Sequence, residues 1–425
     1  MTAGQRAARA HDPYAVLRFP DFRRFVGSVL VLTVATQIQA VVVGWQVYAI
    51  TKDALSLGLV GLAEALPFIS IALFAGHVAD RVNRRRVVAL AIVVMVGCAA
   101  ALLVLTLTPG AFAGGRVWPI YGVIFVSGVA RSFLQPARQA LGAELVPREL
   151  FPNAVAWRSS IWQIAAVVGP ALGGLVYGFT GPAAAYGVDL ALTGVALGAI
   201  LRLRHAGSAR PLAEESVTES LGAGIRFLRG EPVLLGAITL DLFSVFFGGA
   251  TALLPIFAAD ILHVGPEGLG LLRAAPSVGA VLTSLVLAHR RPLQRAGATL
   301  LTYVALFGLA MIGFGLSRSF ALSAILLALS GAVDMVSVVI RSTLLQVSTP
   351  EALLGRVSAV NQIFIGSSNE IGAFESGVAA RLMGTVSSVV FGGTVTLLVV
   401  AATAWRVPEL RRLGRLDGKA VNSKH

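Results

Sequence analysis

Twelve long apolar runs follow one another along this chain, separated by short breaks that carry charges or Pro and Gly. They cover residues 25–49, 56–78, 87–108, 118–137, 153–178, 183–203, 233–259, 267–288, 297–316, 320–344, 358–382 and 386–405. At about 20 residues or more, each is long enough to cross roughly 30 Å of hydrocarbon as a helix. Composition agrees: 56% of the residues are hydrophobic, 13% are charged and the mean hydropathy is +0.81, whereas a soluble domain carries about 25% charged residues. An all-α integral membrane protein is expected, with the lipid bilayer as its solvent.

A net charge of +13 invites a nucleic-acid reading, but that requires a basic face on a soluble domain. Here the basic residues alternate by loop instead. With the N-terminus inside, the inner segments hold Arg6, Arg9, Arg18, Arg23 and Arg24, then Arg81, Arg84, Arg85 and Arg86, then Arg138 and Arg148. Arg202, Arg204, Arg210, Arg226 and Arg229 follow, then Arg290, Arg291 and Arg295, then Arg341 and Arg356, and finally the basic tail. The outer loops hold Lys52, Arg116 and Arg318, with Arg381 at a helix end. By the positive-inside rule both termini are expected in the cytoplasm, with the protein multi-pass in the cytoplasmic (inner) cell membrane and no nucleic acid as partner. Residues 1–20 show no signal-peptide core or cleavage site, so the first run is expected to direct insertion itself. Cys98 stands alone inside the third run, which leaves no intramolecular disulfide and points to packing.

The stretch "RLRHAGSARPLAEESVTESLGAGIRFLRGEP", residues 202–232, is the only long polar segment between runs and divides them six and six. The expected organisation is a cytoplasmic N-terminal segment 1–24, a six-helix bundle 25–203, a cytoplasmic central loop 204–232, a second bundle 233–405 and a cytoplasmic tail 406–425. The halves also match weakly. At an offset of 203, Arg138 falls on Arg341, Pro147 on Pro350, Gly169 on Gly372 and Gly181 on Gly384, which superposes the fourth and fifth runs on the tenth and eleventh. At an offset of 209, "GLAEALP" (61–67) falls on "GLLRAAP" (270–276).

Four further stretches and two aromatic residues carry a resemblance to a known family. "GHVADRVNRRR" (76–86) resembles the loop signature between helices two and three of the major facilitator superfamily, with Gly76, Asp80, Arg81, Arg84 and Arg85 at matching places and Asn83 where a glycine is usual. "GPALGG" (169–174) is similar to the core of the antiporter signature of drug exporters, with Ala165 in place of a further glycine. "DFRRF" (21–25), Trp45, Tyr48 and "GRVSAVNQIFIGSSNEIGAFESG" (355–377) resemble the enterobactin-exporter and multidrug-efflux type of permease. The resemblance covers nearly the whole chain. It implies the major facilitator fold, twelve transmembrane helices in two pseudo-symmetric six-helix bundles, with alternating access and export.

Candidate residues follow from where polarity is out of place. Gly76, Asp80, Arg81 and Arg85 form a charged loop that pairs internally or docks on a helix end, and are read as a conformational latch; setting topology alone is the competing reading. Gly169, Pro170, Gly173 and Gly174 lie inside a spanning helix, where small residues permit close packing. Ionisable groups within spans are functional candidates by default: Glu64, Arg131, Asp241, Arg273, Asp334, Glu370 and Glu375 are read as coupling or cavity groups, while Arg158 and the peripheral Asp189 are also in spans. The repeat sets Glu64 against Arg273 and Arg131 against Asp334, opposite charges at equivalent places. Asn361, Ser368 and Glu375 recur every seven residues and share a helix face. Phe243, Phe246 and Phe247 either line an apolar cavity or simply pack.

These readings converge on a secondary transporter, not an enzyme, in which protons drive export of a small amphipathic organic compound, siderophore-like or drug-like. An importer of a small metabolite and a non-transporting membrane sensor are the alternatives. No G-x-x-x-x-G-K-[ST] occurs and the six histidines are scattered, so neither ATP, a cofactor nor a metal is expected. A monomer is expected.

Overall fold

A computed structural model describes residues 12–204, 217–289 and 294–414. Each apolar run becomes a helix: α1 Pro20–Thr51, α2 Ala54–Arg81, α3 Arg84–Leu107, α4 Trp118–Glu144, α5 Phe151–Thr180, α6 Pro182–Leu201, α7 Pro232–Gly248, α8 Pro266–Ala288, α9 Ala296–Leu316, α10 Phe320–Ser348, α11 Glu351–Met383 and α12 Thr385–Arg406. Among the described residues there is no strand. Among the described residues, ten helical segments are long and apolar enough to cross a membrane. The α4 and α11 helices are as long but less apolar; they carry Arg131, Gln135 and Arg138, and Asn361, Asn369, Glu370 and Glu375. Most helices outrun their apolar runs, as α4 does by continuing to Glu144. Hydropathy stops where lipid stops, whereas the backbone hydrogen-bond ladder continues for another turn or two.

The described chain falls into two compact units, one of residues 12–46 and 66–204, the other of residues 47–65 and 217–414. The first has a core of Phe22, Phe25, Ile92, Leu141 and Ile200, with α3 packed on α4 and on α6. The second is centred on Leu234, Leu300, Leu344 and Val357, with α9 packed on α10 and on α12. The same pairing thus recurs six helices later, a packing counterpart of the sequence repeat. Where α8 meets α10, a Cβ on Gly279 would overlap the Ala328 carbonyl and one on Gly331 would overlap the Pro276 carbonyl. Apolar side chains gain little by leaving lipid, so such backbone contact is how spanning helices adhere.

The seventh run is expected to be continuous, and it is not. Helix α7 ends at Gly248, Gly249 leaves helical geometry, and residues 250–261 proceed as short tight and wide turns around Pro255. Glycine weakens the ladder and proline lacks the donor. The hydroxyl of Ser376 donates to the Gly249 carbonyl at 3.1 Å, satisfying part of the opened backbone as the bilayer requires.

The polar connection contains a further helix, Val217–Gly230, whose Leu228 is buried and whose Gly224 rests on the Arg356 carbonyl and Val360. Beyond α12, a short helix Pro408–Arg412 buries Leu410 completely. The carbonyls of Leu413 and Gly414 accept from the amides of Gly297 and Ala296 at 3.2 and 3.1 Å. These tail carbonyls cap the first turn of α9, whose amides have no partner inside the helix.

Candidate functional site

In the second unit, Asp241 on α7 and Arg341 on α10 form an ion pair. Asp334, seven residues before Arg341 and on the same helix face, lies 3.9 Å from the guanidinium. Arg341 also donates through Nε to the Ser337 carbonyl at 3.3 Å. The side chains of Arg341 and Asp241 are 11% and 9% exposed, that of Asp334 44%. One carboxylate is therefore locked to the cation and the other is accessible. Loop counting puts Arg341 among the topology-setting arginines. The signal that finds it is the repeat, since Arg131 and Arg138 have the same seven-residue spacing as Asp334 and Arg341.

Arg273 on α8 feels the opposite charge of Glu370 on α11. The α2 segment of the same unit meets α11 closely: a Cβ on Gly61 would come 2.7 Å from the Ala373 Cβ and 3.3 Å from the Glu370 carbonyl, and Gly377 lies against the backbone of Gly58. Glu64, Glu370 and Glu375 are half-buried on these two helices. At one end of this contact Tyr48 hydrogen-bonds Asp260 and Arg381 pairs with Asp53 at 3.4 Å. On α11, Ser368 is buried and donates to its own helix at Ile365. Phe243, Phe246, Phe247 and Phe391 form one aromatic cluster between α7 and α12.

In the first unit a cavity of about 200 Å³ is bounded by α1, α3, α4 and α5. Arg131, Leu134, Gln135 and Arg138 line it from one face of α4, Thr33, Thr36 and Gln37 from α1, Met95 from α3 and Trp162 from α5. Arg138 donates to Gln135 Oε1 at 2.7 Å. The wall toward α1 is set by the glycine motif: a Cβ on Gly169 would come 2.6 Å from the Gln37 Cβ, and one on Gly173 3.0 Å from the Ile38 Cα. Pro170 and Gly174 are buried beside them. Asp189, 2% exposed, accepts from the Gln39 amide at 3.0 Å and joins α6 to α1. A larger cavity, about 550 Å³, lies where α1 begins and α4 ends, among charges of both signs: Arg23, Arg24, Arg204, Asp21 and Glu144.

Of the four latch residues, Arg85 donates to the Leu201 carbonyl at 2.7 Å, at the α6 C-terminus, where the helix dipole favours a cation. Its neighbour Arg84 pairs with Glu144. Gly76, Asp80 and Arg81 close α2, and their side chains are outside the described residues.

A sequence pattern described as "Transmembrane secretion effector" matches residues 11–424. The chain is 30% identical over 397 residues to the enterobactin exporter EntS of Citrobacter koseri, covering 92% of this chain and 93% of that one. It is 30% identical over 399 residues to EntS of Shigella flexneri, with the same coverage. Among solved structures, a single-residue mutant of the nucleoside transporter NupG matches with a TM-score of 0.71 at 13% identity, over 91% of this chain and 100% of that one. A bacterial homologue of the human lysosomal transporter Spinster matches with a TM-score of 0.67 at 15% identity, over 92% and 97%; at such identities the likeness is one of fold. Spanning helices in two repeated sets, charges held within them and a family pattern covering nearly every residue make the chain a multi-pass membrane transporter that belongs to the transmembrane secretion effector family of the major facilitator superfamily.

Proposed function

We propose that this transporter exports a siderophore-like, amphipathic organic compound from the cytoplasm by alternating access, driven by protons. The observation that carries export is the 30% identity over 92% of the chain to proteins named enterobactin exporters. Proton coupling draws support from Asp334 and Asp241 around Arg341, because an accessible carboxylate beside a cation can exchange a proton and alter what the cation holds. The arginine-rich alternate loops favour cytoplasmic termini, and Asp80, Arg81 and Arg85 are read as the latch of that face. The protein acts as a monomer.

Everted membrane vesicles containing the protein test both parts. A catecholate siderophore is expected to accumulate inside when the lumen is made acidic, and a protonophore is expected to abolish accumulation. Uptake equal to that of vesicles lacking the protein refutes export, and uptake indifferent to the gradient refutes coupling.

A further inference from the structure

We infer that the larger cavity of the first unit, where α1 begins and α4 and α6 end, holds the phosphate head group of an anionic phospholipid. Binding there is independent of the direction of transport.

Arg23 lies two residues before the first apolar run and Arg204 one residue after the sixth. Both line the cavity, so it opens where hydrocarbon gives way to head groups. Its volume of about 550 Å³ falls within the roughly 300–1,000 Å³ of pockets that enclose a small ligand. The chain before α1 is built into its wall. Val16 is fully buried, the Asn153 amide donates to the Asp12 carbonyl at 2.9 Å, and the Trp157 indole donates to the Pro13 carbonyl at 2.8 Å. These bonds tie the start of the segment to α5, and Phe19 and Pro20 at its end face the cavity.

Charge selects the ligand. Although the lining carries both signs, its two acids are engaged within the protein. Asp21 accepts from Arg24 at 2.8 Å and from the Arg204 backbone amide at 3.1 Å, and Glu144 pairs with Arg84, both side chains being largely buried. The bonds to Asp21 also use up Arg24 and pin the backbone of residue 204 beside α1. The guanidiniums of Arg23 and Arg204 are exposed and have no acidic partner among the described residues. Two cations from different helix ends thus face one cavity whose acids are already spent. A phosphodiester carries one negative charge and accepts readily from guanidinium forks. The rest of the lining, Phe19, Pro20 and Leu145, is apolar, and Leu201 in the last turn of α6 is exposed. Acyl chains attached to the phosphate gain from such a flank, whereas a free anion does not.

The test is native mass spectrometry of the purified full-length protein titrated with phosphatidylglycerol or with phosphatidylcholine of the same chains, which gives the affinity of the first lipid bound. Phosphatidylglycerol is expected to bind at least about ten-fold tighter. Arg23→Gln and Arg204→Gln are each expected to weaken it about five-fold, and together roughly twenty-fold, while phosphatidylcholine binding stays the same. Both side chains are exposed, so the double variant should melt without lipid as the unsubstituted protein does. Arg23→Lys with Arg204→Lys keeps the charges and should keep most of the affinity; a lysine pair as weak as the glutamine pair overturns the electrostatic assignment. Arg318→Gln, away from the cavity, should match the unsubstituted protein. Equal binding of the two lipids, or undiminished phosphatidylglycerol binding in the double glutamine variant, overturns the site. Inorganic phosphate that competes as well as phosphatidylglycerol itself would assign the cavity to a free anion and overturn the lipid.

Discussion

Removing Arg341 should destabilise the second unit far more than removing it together with Asp241. Both side chains are about nine-tenths buried, so bulk water does little for whichever is left behind. Breaking a buried ion pair from one side costs about 3–5 kcal/mol, while neutralising both partners is close to neutral. Asp334 does not replace Asp241, since it stands 3.9 Å away and is 44% exposed, where solvent screens it. Arg341→Gln and Asp241→Asn are therefore expected to lose about 3 kcal/mol each, and the double variant only about 1 kcal/mol. The implied coupling is on the order of 5 kcal/mol, above the ~0.5–3 kcal/mol usual for residues in contact, as fits two buried charges each left unsatisfied when the other is removed. Tryptophan fluorescence of the detergent-solubilised protein during denaturant titration gives the four stabilities of the cycle. A double variant as unstable as the sum of the singles refutes the reasoning, because the two groups would then contribute independently.

Gly279→Ala should weaken the protein by about 1–3 kcal/mol or more, because its Cβ would enter the Ala328 carbonyl, whereas Gly187→Ala, with nothing within 4 Å, should leave melting unchanged. Leu410→Ala empties a fully buried position in the tail and should cost about 2–5 kcal/mol; an unaltered melting curve would show the tail to be dispensable. Asp80→Asn should abolish or strongly slow vesicle flux while the protein stays inserted and folded, and normal flux would remove the latch. Asp334→Asn should leave downhill exchange intact and uncouple accumulation from the proton gradient; undiminished gradient dependence would assign coupling elsewhere.

The spans were legible because hydrocarbon imposes one length and one composition on anything that crosses it. Every run found in the sequence has its helix, and the ends differ where charged turns such as 138–144 continue the helix past the lipid. The break at Gly248-Gly249 was less visible, since two glycines inside an apolar run do not lower its hydropathy. The linker helix escaped because polar composition was read as loop, although Ile225 and Leu228 sit at helical spacing in its last turns. Asp241 and Asp334 stood out as charges in apolar surroundings. Arg138 and Arg341 did not, because near the end of a span an arginine that sets topology and one that turns inward look alike. Only the seven-residue spacing repeated in both halves separates them.

That repeat also sets different charges at equivalent places of one fold. Positions 131 and 138 on α4 and positions 334 and 341 on α10 are equivalent, and each pair shares one face of its helix. In the first unit both positions are arginine and line a cavity with Gln37, Gln135, Thr33 and Thr36; in the second, one is aspartate, and α7 supplies Asp241 to the arginine that remains. A pair of arginines has no proton to exchange near neutral pH, since guanidinium does not titrate there. An arginine between two carboxylates has little charge left for an anionic ligand, yet offers a carboxylate that can take and release a proton. On the proton-coupled reading proposed above, the exchangeable proton therefore belongs to the unit in which the repeat carries aspartate in place of arginine.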